Sequence, residues 1–355
     1  SCPSWPWTGP AATPHGGPAL PFVDRELSLT TPLSRGRAEA GARPRRARTG
    51  ISGRQLVAWL MVTPMLAGLI VFAVYPFIYL VILSLMKANL AAPFFLDFSD
   101  RSLEFLADSY VGLANFSDAI GDTRYTDSLW RSVLYALVTT AGALILGVAV
   151  AVLVDRAVKG RSLLRTLILL PLMTPPVTVA VMWQLLLMPS GGWLNSFLMD
   201  LTVISQPVSF LGTSTYALPF LCLADIWQWS PFVALMTYAA LQTQPADVYE
   251  AARLDGASGF RIFRSITLPM LAPALFAVAV LKLVIGFKVF DLVFVLTAGG
   301  PGQDTRLTTF HIYQEAIQQF DMGAAAAQTL LFAVMVGLIT LPFTAAHDYA
   351  ERRLS

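Results

Sequence analysis

Residues 250–269 read EAARLDGASGFRIFRSITLP. The stretch carries Arg253, Arg261 and Arg264, yet long apolar runs flank it on both sides. Glu250 suits the first turn of a helix, where an acid meets the positive end of the helix dipole. Ala251 and Ala252 are small enough to let a partner surface come close. Asp255-Gly256 is a turn signal, because glycine accepts backbone angles that other residues avoid. Ala257 follows, and a second amphipathic stretch then sets Phe260, Ile262, Phe263 and Ile266 against Arg261, Arg264 and Ser265. Pro269 fits the first turn of the next apolar helix. A chain that only reverses direction needs a short loop here. The pattern predicts a structured element on which another protein docks. The competing reading is an interfacial helix that lies on a bilayer without a partner.

The flanking runs set the solvent. Of 355 residues, 55% are hydrophobic and 13% charged, against about 25% charged in soluble domains. Mean hydropathy is +0.62. A net charge of +2 is too small to suggest nucleic acid. Six segments reach the roughly 20 apolar residues that a hydrocarbon core requires. They lie near 56–86, 128–155, 163–188, 216–241, 270–297 and 326–346. Backbone in lipid must satisfy its own hydrogen bonds, so these are helices, and the fold class is an all-α polytopic membrane protein. Pro171, Pro175 and Pro176 predict a kink in the third span.

Charge asymmetry orients the spans. Arg-rich residues 1–52 form a basic tail, predicted to be disordered. Arg156, Lys159, Arg161 and Arg165 follow the second span, the opening stretch follows the fourth, and Glu351-Arg352-Arg353 follows the sixth. The positive-inside bias places all of these, and both termini, in the cytoplasm. The acidic loop after the first span then lies outside. It contains Asn115-Phe116-Ser117, a glycosylation pattern expected to be a chance match. The divisions are 1–52, the tail; 53–127, the first span and external loop; 128–346, the core, with the polar element at 244–269; and 347–355, a cytoplasmic end.

Several kinds of chemistry have no signal. No phosphate loop ending Gly-Lys-Ser/Thr occurs, so the chain is not expected to bind ATP. His15, His311 and His347 have no ligand neighbours at helical spacing, so no metal is expected. Cys2 and Cys222 are far apart, which argues against a disulfide or thiolate site. No catalytic residues are expected.

Ionisable residues inside spans are functional candidates, because each costs roughly 2.5–3.5 kcal/mol to insert. Asp225 lies about nine residues from the outer end of its span and Lys282 about twelve from the inner end of its own, roughly 14 and 18 Å. Both are near the midplane, where transport sites lie. Trp227, Gln228 and Trp229 follow Asp225; aromatic faces beside hydrogen-bonding groups suit a ligand with hydroxyls and apolar ring faces, and packing accounts for the two tryptophans equally well. Lys288 and Asp291 are three apart and are predicted to pair on one helix face. Lys282 and Asp291 are nine apart and fall on opposite faces. The expected path is therefore Asp225, Trp227, Gln228, Trp229, Lys282 and position 289 (Val289), with Lys288–Asp291 a structural pair nearer the outer surface; the competing reading is that all four charges are satisfied as pairs between helices.

Glu250-Ala251-Ala252, Asp255-Gly256-Ala257, Ile266, Leu268-Pro269 and Pro273 together resemble the EAA loop of ABC-importer permeases, in the branch of the maltose and glycerol-phosphate permeases. Leu296-Thr297-Ala298-Gly299-Gly300-Pro301-Gly302, Thr305, Ile312-Tyr313, Ala316, Phe320, Gly323 and Ala325-Ala326 resemble the segment before the last span in that branch. The likeness covers roughly residues 55–350. It implies a type I importer permease fold, a second homologous permease, two ATPase subunits that carry ATP and Mg, and an extracytoplasmic sugar-binding (lipo)protein. The EAA element would form coupling helices in an ATPase cleft. The sugar, a disaccharide such as trehalose, would contact the regions 225–232 and 282–290. The competing functions are a self-contained secondary transporter with Asp225 and Lys282 as an ion relay, and a membrane assembly protein.

Overall fold

The computed structural model describes residues 53–90, 109–156 and 161–354. The expected disordered tail lies outside them. The chain divides into residues 1–60 and 61–355, and the site lies wholly in the second unit.

Helix α1 (Gly53–Leu69) runs through a π turn at Ile70–Val74 into α2 (Tyr75–Ser84). Pro76 stands just past that turn, and Pro269 stands just past a second π turn at Phe263–Thr267. Proline has no N–H and its ring crowds the carbonyl four residues back. In both places that carbonyl belongs to the wider turn, which gives the ring room and keeps the helix continuous. Helix α3 (Ala114–Gly121) precedes the long α4 (Thr123–Arg156). Asn115 is a structural residue, because its amide nitrogen donates to the Ser84 and Met86 carbonyls at 2.9 Å each.

Among the described residues, five helices are long and apolar enough to cross a bilayer: Trp59–Ser84, Thr123–Arg156, Ser214–Gln242, Gly259–Phe287 and Met322–Tyr349. The third expected span is not a kinked helix. It is two helices, α5 (Arg161–Met173) and α6 (Pro176–Leu186), bent by 98°. Pro175 and Pro176 remove two adjacent donors. A residue before proline is also pushed out of the helical region, and Pro175 accordingly has ψ 141°. Helix α7 (Trp193–Asp200) leads to the fourth span, α8 (Ser214–Gln242). Then come α9 (Ala246–Leu254) and α10 (Gly259–Ile262), followed through the second π turn by α11 (Leu268–Phe287).

The fifth span was expected to run to 297. It stops at Phe287, and a new helix, α12, occupies Asp291–Leu296. No proline marks this break. Gly286 weakens the end of α11, and Asp291 sits in the first turn of α12, where an acid is favourable. Helices α13 (Thr308–Tyr313) and α14 (Met322–Leu354) complete the chain.

Helices α4, α8 and α11 form the packed centre, with α14 against α11 and α2 against α14. Water does not drive helices together in lipid, so close approach of backbones does. At Gly147 an added Cβ would lie 2.5 Å from the Val233 Cβ and 3.0 Å from the Ala234 nitrogen, so only glycine fits there. The broken pieces α6 and α12 pack on each other and share an apolar cluster with Trp183, Leu221, Cys222 and Phe310.

Candidate functional site

The two breaks meet at one cavity. It has a volume of about 200 Å³ and is lined by Pro176 at the start of α6, Asp225, Gln228 and Trp229 on α8, Ile285 on α11, and Lys288 to Leu292 across the second break. Helix breaks at membrane depth are tolerated where the freed backbone is buried in protein or lines a cavity. Both breaks follow that rule, and each has a side-chain donor from another element. The Gln228 amide donates to the Thr174 carbonyl at 3.3 Å. The Thr309 hydroxyl donates to the Val289 carbonyl. Sequence reasoning placed Gln228 in the path and did not identify Thr309.

The charged residues sort differently from the expectation. The Lys282 ammonium donates to an Asp225 carboxylate oxygen at 2.7 Å, with side-chain exposures of 0% and 3%. It also reaches the Thr139 hydroxyl at 3.4 Å and lies 5.9 Å from the centre of the Trp229 ring. This cluster ties α4, α8 and α11 together. Asp225 touches the cavity, whereas Lys282 is behind it. Trp227 turns away and packs edge-on against Trp183 at 6.3 Å.

The expected Lys288–Asp291 pair does not form. Both residues are exposed and line the cavity, and no ion pair joins them among the described residues. Spacing of three aligns two side chains only on a continuous helix, and the backbone breaks between these two. The same break removes the phase argument that separated Lys282 from Asp291.

The opening stretch forms a tight hinge between α9 and α10. The first turn begins at Ala246, not at Glu250, so the acid at the positive end of the helix is Asp247. Pro245, extended at ψ 126°, starts the helix there. At its other end the Ala257 N–H bonds to the Ala252 carbonyl at 3.0 Å and the Gly256 N–H to the Arg253 carbonyl at 3.1 Å. This is a Schellman closure with Gly256 in the left-handed position, φ +75°. The Ser258 hydroxyl then caps α10 by accepting from the Arg261 N–H at 3.4 Å. Glu250, Ala251 and Asp255 are exposed, and Ala252 is buried. Leu254 is 89% and Phe260 73% exposed, so the apolar points of the turn face outward. Phe263 is half-buried.

The segment before the last span packs through hydroxyl groups. Buried Thr305 donates to the Gly300 carbonyl at 2.7 Å, and the Thr308 N–H bonds to the Ser132 hydroxyl at 2.8 Å. Buried His311 lies against Tyr125 with ring centres 5.7 Å apart. Burial, reinforced by Arg306, pushes its imidazole down to about 4. Burial raises the neighbouring Asp122 carboxyl, but hydrogen bonds from Arg124 outweigh that and hold it below its usual range.

The described residues thus hold two broken helices around one cavity and a capped polar hinge between α9 and α10. Residues 143–355 match the family of the binding-protein-dependent transport system inner membrane component, and the chain belongs to that family. The trehalose/maltose transport system permease protein MalF of Thermococcus litoralis is 33% identical over 291 residues, 81% of this chain and 92% of its own length. The sn-glycerol-3-phosphate transport system permease protein UgpA of Escherichia coli O157:H7 is 31% identical over 284 residues, 80% and 91% of the two chains. Among solved structures, a bacterial alginate ABC transporter in complex with an alginate pentasaccharide-bound periplasmic protein superposes with a TM-score of 0.67. Its sequence identity is 21% over 85% of this chain and 96% of that one, so it shows a shared fold. The expected ABC-importer permease fold is therefore present.

Proposed function

We propose that this chain is one permease subunit of an ATP-driven sugar importer that takes a disaccharide such as trehalose. Its cofactor chemistry, ATP with Mg, belongs to two separate ATPase subunits. A second, homologous permease completes the path, and an extracytoplasmic binding protein delivers the sugar. The observation that carries this reading is the hinge at 254–260. It is locked by its own hydrogen bonds and presents Leu254 and Phe260 outward, as a rigid element that docks on a partner should. Glu250, Ala251, Ala252, Asp255, Gly256 and Ala257 shape that element, and Phe260 and Phe263 flank it. Closure of the ATPase pair would move it as a unit and rock the spans between outward-open and inward-open states.

The substrate path is assigned to the cavity between the helix breaks. The Trp229 ring offers a face to the sugar, Lys288 and Asp291 offer charged hydrogen-bonding groups, and Val289 lies between them on the wall. Asp225 and Lys282 hold the wall in place. This arrangement also weighs against an ion relay, because both charges already satisfy each other. Membership of the relatives named above supports the sugar class, and the trehalose assignment rests on the first of them by name.

The test is purification of the chain with its co-expressed partners, reconstitution, and a panel of sugars scored by stimulated ATP hydrolysis. A disaccharide is expected to give the largest stimulation. Uptake by vesicles that contain this chain without any ATPase subunit would overturn the proposal and favour a secondary transporter.

A further inference from the structure

A larger hollow than the central cavity lies on the flank of α4. It is a groove of about 700 Å³. One wall is a single face of α4, on which Leu144, Val148 and Val152 alternate with Ile145, Ala149 and Leu153 at a spacing of four. Phe260, Phe263 and Leu268 form the opposite wall. Ile145 is 74% exposed, Leu153 68% and Phe260 73%, so the groove is open to whatever surrounds the helix.

Its length and its one charge identify the occupant. Leu144 to Arg156 spans about 18 Å along the helix, and one leaflet of a hydrocarbon core about 30 Å thick is about 15 Å deep. The groove is therefore apolar for the depth of one leaflet. Among its described lining residues Arg156, in the last turn of α4, is the only charged one. Arg156 is exposed and makes no ion pair or side-chain hydrogen bond among the described residues.

We propose that this groove binds one anionic phospholipid. An acyl chain lies along α4 between its two rows and Phe263, and the phosphate sits on Arg156. A guanidinium presents a fork that matches phosphate oxygens. Lys159, Arg161 and Arg165 follow Arg156 in the sequence. A neutral lipid fills the apolar walls equally well but leaves the guanidinium without its partner. A protein helix laid over the groove would bury Arg156 unless it brought its own acid, and an unpaired buried charge is strongly unfavourable. The occupant links α4 to the hinge through Phe260 and Phe263, so lipid composition would bear on how the hinge is held.

The experiment uses the complex purified with its co-expressed partners, in nanodiscs of phosphatidylcholine and phosphatidylglycerol in known proportion. Benzoylphenylalanine replaces Leu153, an exposed residue of the α4 wall that stands clear of the hinge face, and adducts are identified by mass after illumination. The expected result is phosphatidylglycerol enriched over its share of the bilayer. Arg156→Gln should reduce that enrichment about fivefold, the worth of one basic residue near an anionic surface. Arg253→Gln, which does not line this groove, should leave it unchanged. Native mass spectrometry without the cross-linker should retain the lipid on the unsubstituted chain and lose it in Arg156→Gln. Adducts to a protein subunit, lipids captured in bulk proportion, or enrichment indifferent to Arg156→Gln would overturn the proposal.

Discussion

Two pairs of opposite charges occupy the middle spans, and the structure treats them in opposite ways. Asp225 and Lys282 are 57 residues apart and form a buried ion pair at 2.7 Å. Lys288 and Asp291 are neighbours in sequence, yet both stand open on the cavity wall with no ion pair between them among the described residues. A charge away from water must find a partner or stay uncharged. Asp225 and Lys282 found each other across two helices. Lys288 and Asp291 lie where backbone breaks admit a cavity, and they keep their charges available. Proximity in sequence therefore predicts pairing poorly wherever the helix is interrupted.

The strongest way to break this comparison is to remove one member of the buried pair. Lys282→Met or Asp225→Asn leaves an uncompensated charge or a stranded donor, and should destabilise the complex by about 3–5 kcal/mol. The readout is thermal unfolding of the purified complex, with uptake falling in step with the folded fraction. The double variant Asp225→Asn/Lys282→Met should recover most of the loss. Equal stability of the single variants and the unsubstituted chain would remove the pair's structural role.

The caps at the two breaks come next. Thr309→Val and Gln228→Leu each leave a half-buried carbonyl without its donor, which costs about 1 kcal/mol. Thr309→Ser keeps the hydroxyl and should lie near the unsubstituted value. If the valine and serine variants melt together, the break at Lys288–Phe290 is not held by this hydrogen bond.

These caps also show where the sequence stops being informative. The hinge at 250–269 was legible because its chemistry is local. Gly256 takes the left-handed angle that Asp-Gly predicts, and the residues that close the turn lie within six positions of it. The helix start at Ala246 is less legible, because Asp247 and Glu250 both suit a first turn and only Pro245 separates them. Depth was legible too, since counting residues put Asp225 and Lys282 at comparable levels. The partner of each was not, because nothing in a helical run states which neighbour it faces. The break in the fifth span had only Gly286 and Asp291 as signals, weaker than the Pro175-Pro176 pair that announced the bend in the third. Once that break was missed, the phase argument placed Lys288 and Asp291 on a helix that does not exist there. Thr309 fills a need created by the break, so it could not have been found before the break was.

The hinge offers a smaller and more selective perturbation. At Gly256 an added Cβ meets nothing within 4 Å, so a substitution is penalised through the backbone alone. Gly256→Val should cost about 1–2 kcal/mol for a side chain in the left-handed region. The global fold would survive, while sugar-stimulated ATP hydrolysis would fall because the Leu254 and Phe260 face is no longer held in register. An assembled Gly256→Val complex with unchanged stimulated hydrolysis would detach the hinge from coupling.

The smallest effect on stability is expected where the charges are open. Lys288→Met and Asp291→Asn remove no buried partner, so each should change stability by no more than about 0.5 kcal/mol. Their effect should appear in transport instead. A hydrogen bond to a charged group contributes about 1.5–3 kcal/mol, so losing one to a sugar hydroxyl should weaken apparent affinity by about tenfold or more. The measurement is sugar-stimulated ATP hydrolysis across substrate concentration, set beside the melting curve of the same preparation. A loss of affinity without loss of stability at Lys288, against a loss of stability at Lys282, would separate two lysines only six positions apart in the sequence, one inside α11 and one in the break that follows it. If both variants instead lose stability alike, the cavity is not open to substrate in the way its exposed charges imply, and the path must run elsewhere along α8 and α11.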